Sequence, residues 1–279
     1  AGGFVSANIH SSVAGEVTAI EEKNEQVVVK IKNDGSTKQK TNLEAHDSLA
    51  DVTSSDIRDI IQEAGIVGLG GATFPSHVKV SIPEDKNVDT VILNGAECEP
   101  YLTIDHRMMV EMAEKVLFGL EAIMKAADAQ KGYIGIEVNK PDAIEKMREV
   151  TSDQSNIEVV PLKVKYPQGG EKQLIESVLE KEVPSGGLPL DIGVVVNNIG
   201  TAVAITEAIT EGKSLFERAV TVTGAVNNPQ NLIAKVGTPI EELIEQCDGF
   251  KGQPGKVIMG GPMTGKAQNR LDNPITKGT

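Results

Sequence analysis

The chain has no tryptophan and only three tyrosines and five phenylalanines in 279 residues. Ring platforms for unstacked bases are therefore scarce, which argues against a single-strand nucleic-acid binder. Cysteine is almost as rare. Cys98 and Cys247 stand far apart, which is neither a disulfide framework nor a metal-ligand spacing, and a reducing compartment is the expectation. Basic residues are in deficit, 27 against 40 acidic ones, for a net charge of −13. No general basic field attracts nucleic acid or an anionic membrane, so a phosphate ligand needs local donors. Apolar runs such as 192–196 stop far short of the roughly 18 residues of a membrane helix, so no direct span is expected. The start, Ala1-Gly2-Gly3-Phe4, lacks both an initiator Met and a basic signal-peptide head, and suggests a piece of a longer chain.

What is present is globular composition, with 39% hydrophobic and 24% charged residues. Residues 1–50 read as a partial β segment, with strands at 13–20 and 26–32 and a turn at Asn33-Asp34-Gly35. Two short strands make no stable sheet alone. From Thr53 the pattern alternates. A helix begins at Ser54-Ser55-Asp56-Ile57 and ends at Gly65, and others are predicted over 105–127, 141–150, 171–183 and 201–210. Strands are predicted at 88–93, 133–138, 157–164 and 192–196. This alternation over 51–215 predicts an α/β domain, a doubly wound parallel sheet with helices on both faces. Residues 216–279 read as a small β/α/β unit with strands at 219–225, 232–236 and 256–259 and a helix at 239–247. Its lack of a closing strand before Thr279 suggests truncation.

Doubly wound sheets bind ligands beyond the carboxyl ends of their strands. Three predicted strand ends carry amides, carboxylates and glycines: Asn94-Gly95-Ala96-Glu97-Cys98-Glu99-Pro100, Tyr166-Pro167-Gln168-Gly169-Gly170-Glu171 and Asn197-Asn198-Ile199-Gly200-Thr201. Two of them enter helix N-termini, whose free N–H groups suit phosphate. A fourth loop, Gly68-Leu69-Gly70-Gly71-Ala72-Thr73-Phe74-Pro75, allows close approach of a flat ligand, with Lys79 offering a charge. It is not the dinucleotide fingerprint: Thr73 stands where the third glycine belongs, and the loop follows a helix.

Other features have plainer readings. The Met109, Met112, Val116, Leu120, Ile123 and Ala127 stripe is core packing. Cys247 reads as an inert buried thiol, and Cys98, between two carboxylates, as a poor nucleophile. His10, His46, His77 and His106 are scattered, so no metal site is expected. Gly260-Gly261-Pro262-Met263-Thr264-Gly265 reads as a tight turn after a strand.

Taken together, the four loops resemble the C subunit of the Rnf electron-transport complex and, more distantly, the flavoprotein subunit of respiratory complex I. The Gly260–Gly265 motif is similar to the ligand-binding β-grasp module of the Rnf-type subunits. The resemblance covers nearly the whole chain. It implies a Rossmann-like FMN- and NAD(H)-binding domain over 51–215, flanked by a barrel-sandwich-like β segment over 1–50 and a β-grasp-like module over 216–279.

By the same resemblance FMN lies near Gly68, Gly70, Gly71 and Lys79, with Asn94, Glu97 and Cys98 on another side and Asn197, Asn198 and Thr201 at its phosphate. Phe74, Glu99, Gly169, Gly170 and Glu171 would line NAD(H). Relative to the complex I subunit, Gly170 stands for an acidic residue, Ala96 for Asp and Cys98 for Ser. The implied activity is hydride exchange between NAD(H) and FMN in an ion-translocating ferredoxin:NAD+ oxidoreductase, the cofactor carrying the chemistry. The 4Fe-4S clusters of such subunits need cysteine-rich motifs absent here and are expected in a C-terminal segment outside this chain. Implied partners are membrane-embedded subunits and a ferredoxin-linked iron–sulfur subunit, on the cytoplasmic face of a bacterial membrane. Related cobalamin-reductase and proline-reductase-associated proteins share the motifs. A flavin-free binding or scaffold module is the competing class.

Overall fold

A computed structural model of the chain describes residues 3–23, 26–36 and 43–279. Residues 1–2, 24–25 and 37–42 of the expected N-terminal β segment lie outside the described residues. Within that segment β1 (Gly15–Lys23) and β2 (Gln26–Asn33) pair antiparallel with each other, with a register shift between Val17 and Ala19. The Asn33 and Asp34 side chains accept from the backbone N–H groups of Gly35 and Ser36, which makes the expected turn.

Thr53 and Asp56 form a reciprocal capping box at the start of α1 (Ser54–Glu63), which buries Ile57, Ile60 and Ile61. The end of the glycine loop, expected to be irregular, winds into α2 (Ser76–Val80). Pro75, at φ −59°, presets the entry to this short helix. Then come β3 (Thr90–Gly95), α3 (Ile104–Glu111), α4 (Ala113–Ala127), β4 (Lys131–Glu137), α5 (Pro141–Val150), β5 (Ile157–Leu162), α6 (Glu171–Leu179), β6 (Val194–Asn198) and α7 (Ile199–Glu211). The single helix expected over 105–127 is broken at Met112, at φ −128° and ψ 33°. The break turns α3 toward α5 and α7, while α4 lies along α7 and the sheet.

The four strands are parallel, in the order β5-β4-β3-β6. Alternation along β3 divides the core: Leu93 packs with Ile57, Leu120, Ile123 and Met147, and Ile92 with Leu174, Ile175, Val194 and Val196. So α1, α4, α5 and α7 cover one face and α6 the other, a doubly wound sheet. The chain steps outward from β3 through β4 to β5 and then returns to the far side of β3 as β6. That reversal puts the topological switch point at the carboxyl ends of β3 and β6, where Asn94 faces Asn198 in register.

The C-terminal part contains β7 (Glu217–Val222), β8 (Gln230–Lys235), α8 (Ile240–Gln246), β9 (Val257–Met259) and β10 (Lys266–Gln268). The expected third strand does not join the β7–β8 pair. Instead β9 pairs with β10, a three-residue strand whose Lys-Ala-Gln sequence carries no apolar alternation. Val220, Leu243 and Ile275 form one small core, and Ile240, Ile244 and the buried Cys247 another. Among the described residues no helix is long and apolar enough to cross a membrane.

Candidate functional site

A cleft of about 600 Å³ opens at the switch point, between the strand ends and the C-terminal module. Its floor is built by two asparagines. Asn198 caps α7 by accepting from Gly200 N–H at 2.8 Å, and its amide donates to Asp105 Oδ2 at 2.7 Å. Asn94 accepts from Ala96 N–H at 3.2 Å and donates to the Gly169 carbonyl at 2.8 Å, so it fastens the β5–α6 loop to the end of β3. Gly169 N–H points at the Cys98 sulfur, 3.3 Å away.

The glycine loop hangs above this floor and is pinned at Leu69. Its N–H donates to Thr201 Oγ1 at 3.0 Å, and its carbonyl accepts from an Arg218 guanidinium nitrogen at 3.4 Å. Gly68 N–H donates to the Phe74 carbonyl at 2.8 Å and closes the base of the loop. A Cβ on Gly70 would stand 3.4 Å from Asn198 Cβ, so a larger residue there would press into the floor.

Nine of the residues expected at the site line one cleft: Gly70, Gly71, Asn94, Glu97, Cys98 and Asn198 from the flavin set, and Glu99, Gly169 and Gly170 from the nucleotide set. The other six lie behind or beside it. Gly68 and Phe74 form the base of the loop, and Thr201 is fully buried beneath it. Lys79 and Glu171, expected on different ligands, pair with each other at 2.8 Å, and Lys79 also donates to the Val196 carbonyl at 2.7 Å. Asn197 is buried, and its amide nitrogen has no partner among the described residues. Neither amide atom of the buried Gln168 has one. Unpaired polar groups at strand ends are costly in a folded core and mark a polar site.

The electrostatics centre on Glu97, expected at the flavin, and on two residues that no motif singled out, Asp105 and Arg218. Glu97 accepts from the N–H groups of Asp105 (2.8 Å) and His106 (3.3 Å), which caps α3. Burial first, and then the neighbouring Asp105, push the Glu97 carboxyl up to about 7. Burial likewise raises Asp105 to about 6, against the hydrogen bond from Asn198. Arg218, on β7, lines the same cleft; burial lowers its guanidinium to about 10, with Asp105 acting the other way. Three non-glycine residues here adopt left-handed backbone: Thr73 (φ 55°), Glu97 (φ 45°) and Tyr101 (φ 70°).

The turn at 260–265 closes one side of the cleft. Glu99 accepts from Met263 N–H at 2.9 Å and from the Thr264 hydroxyl, so a residue expected on the nucleotide holds the C-terminal module. Asp105, Arg218 and Tyr101 therefore line the candidate cleft although no motif pointed to them. Asp105 was legible only as a helix start, and Arg218 comes from a module distant in sequence.

The Nuo51 FMN-binding domain family matches residues 61–207, and the SLBB domain family matches residues 219–267. The chain is 49% identical, over 99% of its length and 64% of the relative's, to the C subunit of the Na(+)-translocating ferredoxin:NAD(+) oxidoreductase complex of Acetobacterium woodii. It is 46% identical, over 99% and 62%, to the C subunit of the proton-translocating ferredoxin:NAD(+) oxidoreductase complex of Clostridium ljungdahlii. To the C subunit of the ion-translocating oxidoreductase complex of Rhodobacter capsulatus it is 38% identical, over 99% and 55%. The chain thus spans between about half and two thirds of these relatives. In fold it is similar to a chain of an air-oxidized NAD+-reducing NiFe hydrogenase, with a TM-score of 0.66 at 20% identity over 80% of this chain and 44% of that one. Loops, sheet order and family match agree: the chain belongs to the Nuo51 FMN-binding domain family.

Proposed function

We propose that this chain is the flavin-binding part of a C subunit of an ion-translocating ferredoxin:NAD+ oxidoreductase, with FMN against the floor of the switch-point cleft and NAD(H) entering over it. The single observation that carries this reading is the convergence of the glycine loop, Asn94 and Asn198 on one cleft of nucleotide size. The residues fit FMN on two further grounds. The N-terminus of α7, capped by Asn198, offers donors at the strand end, and Gly70 keeps the wall thin. FMN, when bound, supplies hydride and single-electron chemistry, so no protein nucleophile is required.

The side chains hold and tune. Asn94 and Asn198 fix the two strand ends, Arg218 and Thr201 fix the loop, and Glu97, raised toward neutrality, holds or releases a proton at the cleft floor. Electrons pass to or from iron–sulfur clusters outside this chain, because its two cysteines are too few to hold a four-cysteine cluster. Membrane-embedded subunits and a ferredoxin-linked iron–sulfur subunit are the proposed partners, with the protein peripheral on the cytoplasmic face. The relatives' names support the oxidoreductase reading.

FMN titration followed by flavin fluorescence tests the site. The chain should bind FMN, and Gly70→Val and Asn198→Ala should each weaken it by about ten- to a hundred-fold, the cost of a blocked wall or a lost buried hydrogen bond. Failure to bind FMN, or unchanged affinity in both folded variants, would overturn the reading.

A further inference from the structure

Two of the chain's three tyrosines, Tyr101 and Tyr166, line this one cleft, and both stay exposed, by 70% and 47%. In a chain with 3% aromatic residues that concentration calls for a cause. Folding normally buries such rings, and among the described residues neither packs on another aromatic ring. Tyr101 is the more telling of the two. Its backbone sits at φ 70°, a left-handed conformation that costs a bulky residue energy and suits glycine. A large ring is therefore held, at a backbone cost, on the wall of the cleft and mostly out in water.

Its neighbours fix its place. Glu99, two residues earlier, is tied to the 260–265 turn, and Asp105, four residues later, is tied to Asn198. Tyr101 thus spans a short segment anchored at both ends, one anchor on the C-terminal module and one on the cleft floor. A ring presented from a fixed segment stacks on a flat ligand with little loss of side-chain freedom. The floor belongs to the flavin in the reading above, and an exposed ring lies toward the mouth.

We infer that Tyr101 is a specificity residue for the second ligand, stacking on a planar ring of the nicotinamide dinucleotide. The inference rests on the proposed FMN and NAD(H) sites. Its chemistry is that of an aromatic face against a heteroaromatic face, so the ring matters and the hydroxyl does not.

The test is NADH titration of the FMN-saturated chain, carried out on the unsubstituted protein, Tyr101→Phe and Tyr101→Gly. Tyr101→Phe should keep NADH affinity within about twofold, whereas Tyr101→Gly should lose about fivefold or more, the scale of one lost ring stack. Tyr101→Gly should leave FMN affinity unchanged and should not lower the Tm, because glycine relieves the left-handed backbone. A loss shared by reduced nicotinamide mononucleotide puts the nicotinamide on Tyr101, and one confined to NADH and ADP-ribose puts the adenine there; either supports the assignment. Unchanged NADH affinity in Tyr101→Gly, or an equal loss in Tyr101→Phe, would overturn it. If the unsubstituted protein binds FMN but not NADH, the two-ligand reading itself falls, a result distinct from both.

Discussion

The Glu99 carboxylate lies against the bare Cα of Gly261: a Cβ on Gly261 would stand 2.3 Å from Glu99 Oε2. Gly261 is at φ 93°, so the backbone favours glycine there, and a Cβ would also displace the Glu99 carboxylate from its hydrogen bonds to Met263 and Thr264. The contact joins two cleft-lining loops that lie more than 160 residues apart in sequence. Gly261→Ala should cost about 1–3 kcal/mol in urea unfolding, from strained backbone and the displaced carboxylate. Placed in a Glu99→Ala background, the same substitution should cost at least about 0.5 kcal/mol less, because the obstruction is gone. Strict additivity would mean that the two loops do not meet in solution.

Glu97 and Asp105 make the apo protein's stability depend on pH with a defined sign. Both carboxyls are raised in the fold, to about 7 and about 6, so the native state binds more protons than the unfolded chain between pH 4 and 7. Their contribution is fully present below their unfolded values near pH 4 and is lost as pH rises through the folded ones. Denaturant midpoints should show a decline worth on the order of 2–4 kcal/mol for the pair. Glu97→Gln combined with Asp105→Asn should flatten it. An unchanged slope in that double variant would place the titrating groups elsewhere.

Arg218 carries the glycine loop from the far module, donating to the carbonyls of Leu69 (3.4 Å) and Lys277 (2.5 Å). A guanidinium fork reaches both acceptors and an ammonium does not, so Arg218→Lys should rescue little. Both Arg218→Ala and Arg218→Lys should weaken FMN by about 5- to 30-fold, with a stability loss of about 1–3 kcal/mol. Near-normal FMN binding in Arg218→Lys would mean that charge matters here and the fork does not.

The centre of the sheet was legible because β3 and β6 are buried on both faces and read as β-branched runs ended by asparagine and glycine. The boundaries of β3 and β6 lie two residues later than expected, since Asn94, Gly95, Asn197 and Asn198 still pair across the sheet. Polar residues at a strand end look like loop in sequence, and only the neighbouring strands keep them in the ladder. The break at Met112 was hidden by an apolar stripe that runs through it unchanged. Arg218 and the partnership of Glu99 with Met263 and Thr264 were not legible at all. They depend on how the C-terminal module closes over the cleft, a tertiary arrangement that no local motif encodes. The ion pair between Lys79 and Glu171, at 2.8 Å, is likewise tertiary, since 92 residues of chain separate two side chains that the loops bring together.

The central claim, that one cleft at the end of β3 and β6 takes both FMN and NAD(H), is tested most directly by anaerobic stopped-flow mixing of the FMN-loaded chain with NADH. The account predicts that the bound flavin's visible absorbance bleaches in a saturable, NADH-dependent phase. It also predicts that bleaching slows in Asn94→Ala, which releases the Gly169 loop from the cleft floor. Bound flavin that stays oxidised at saturating NADH would contradict it.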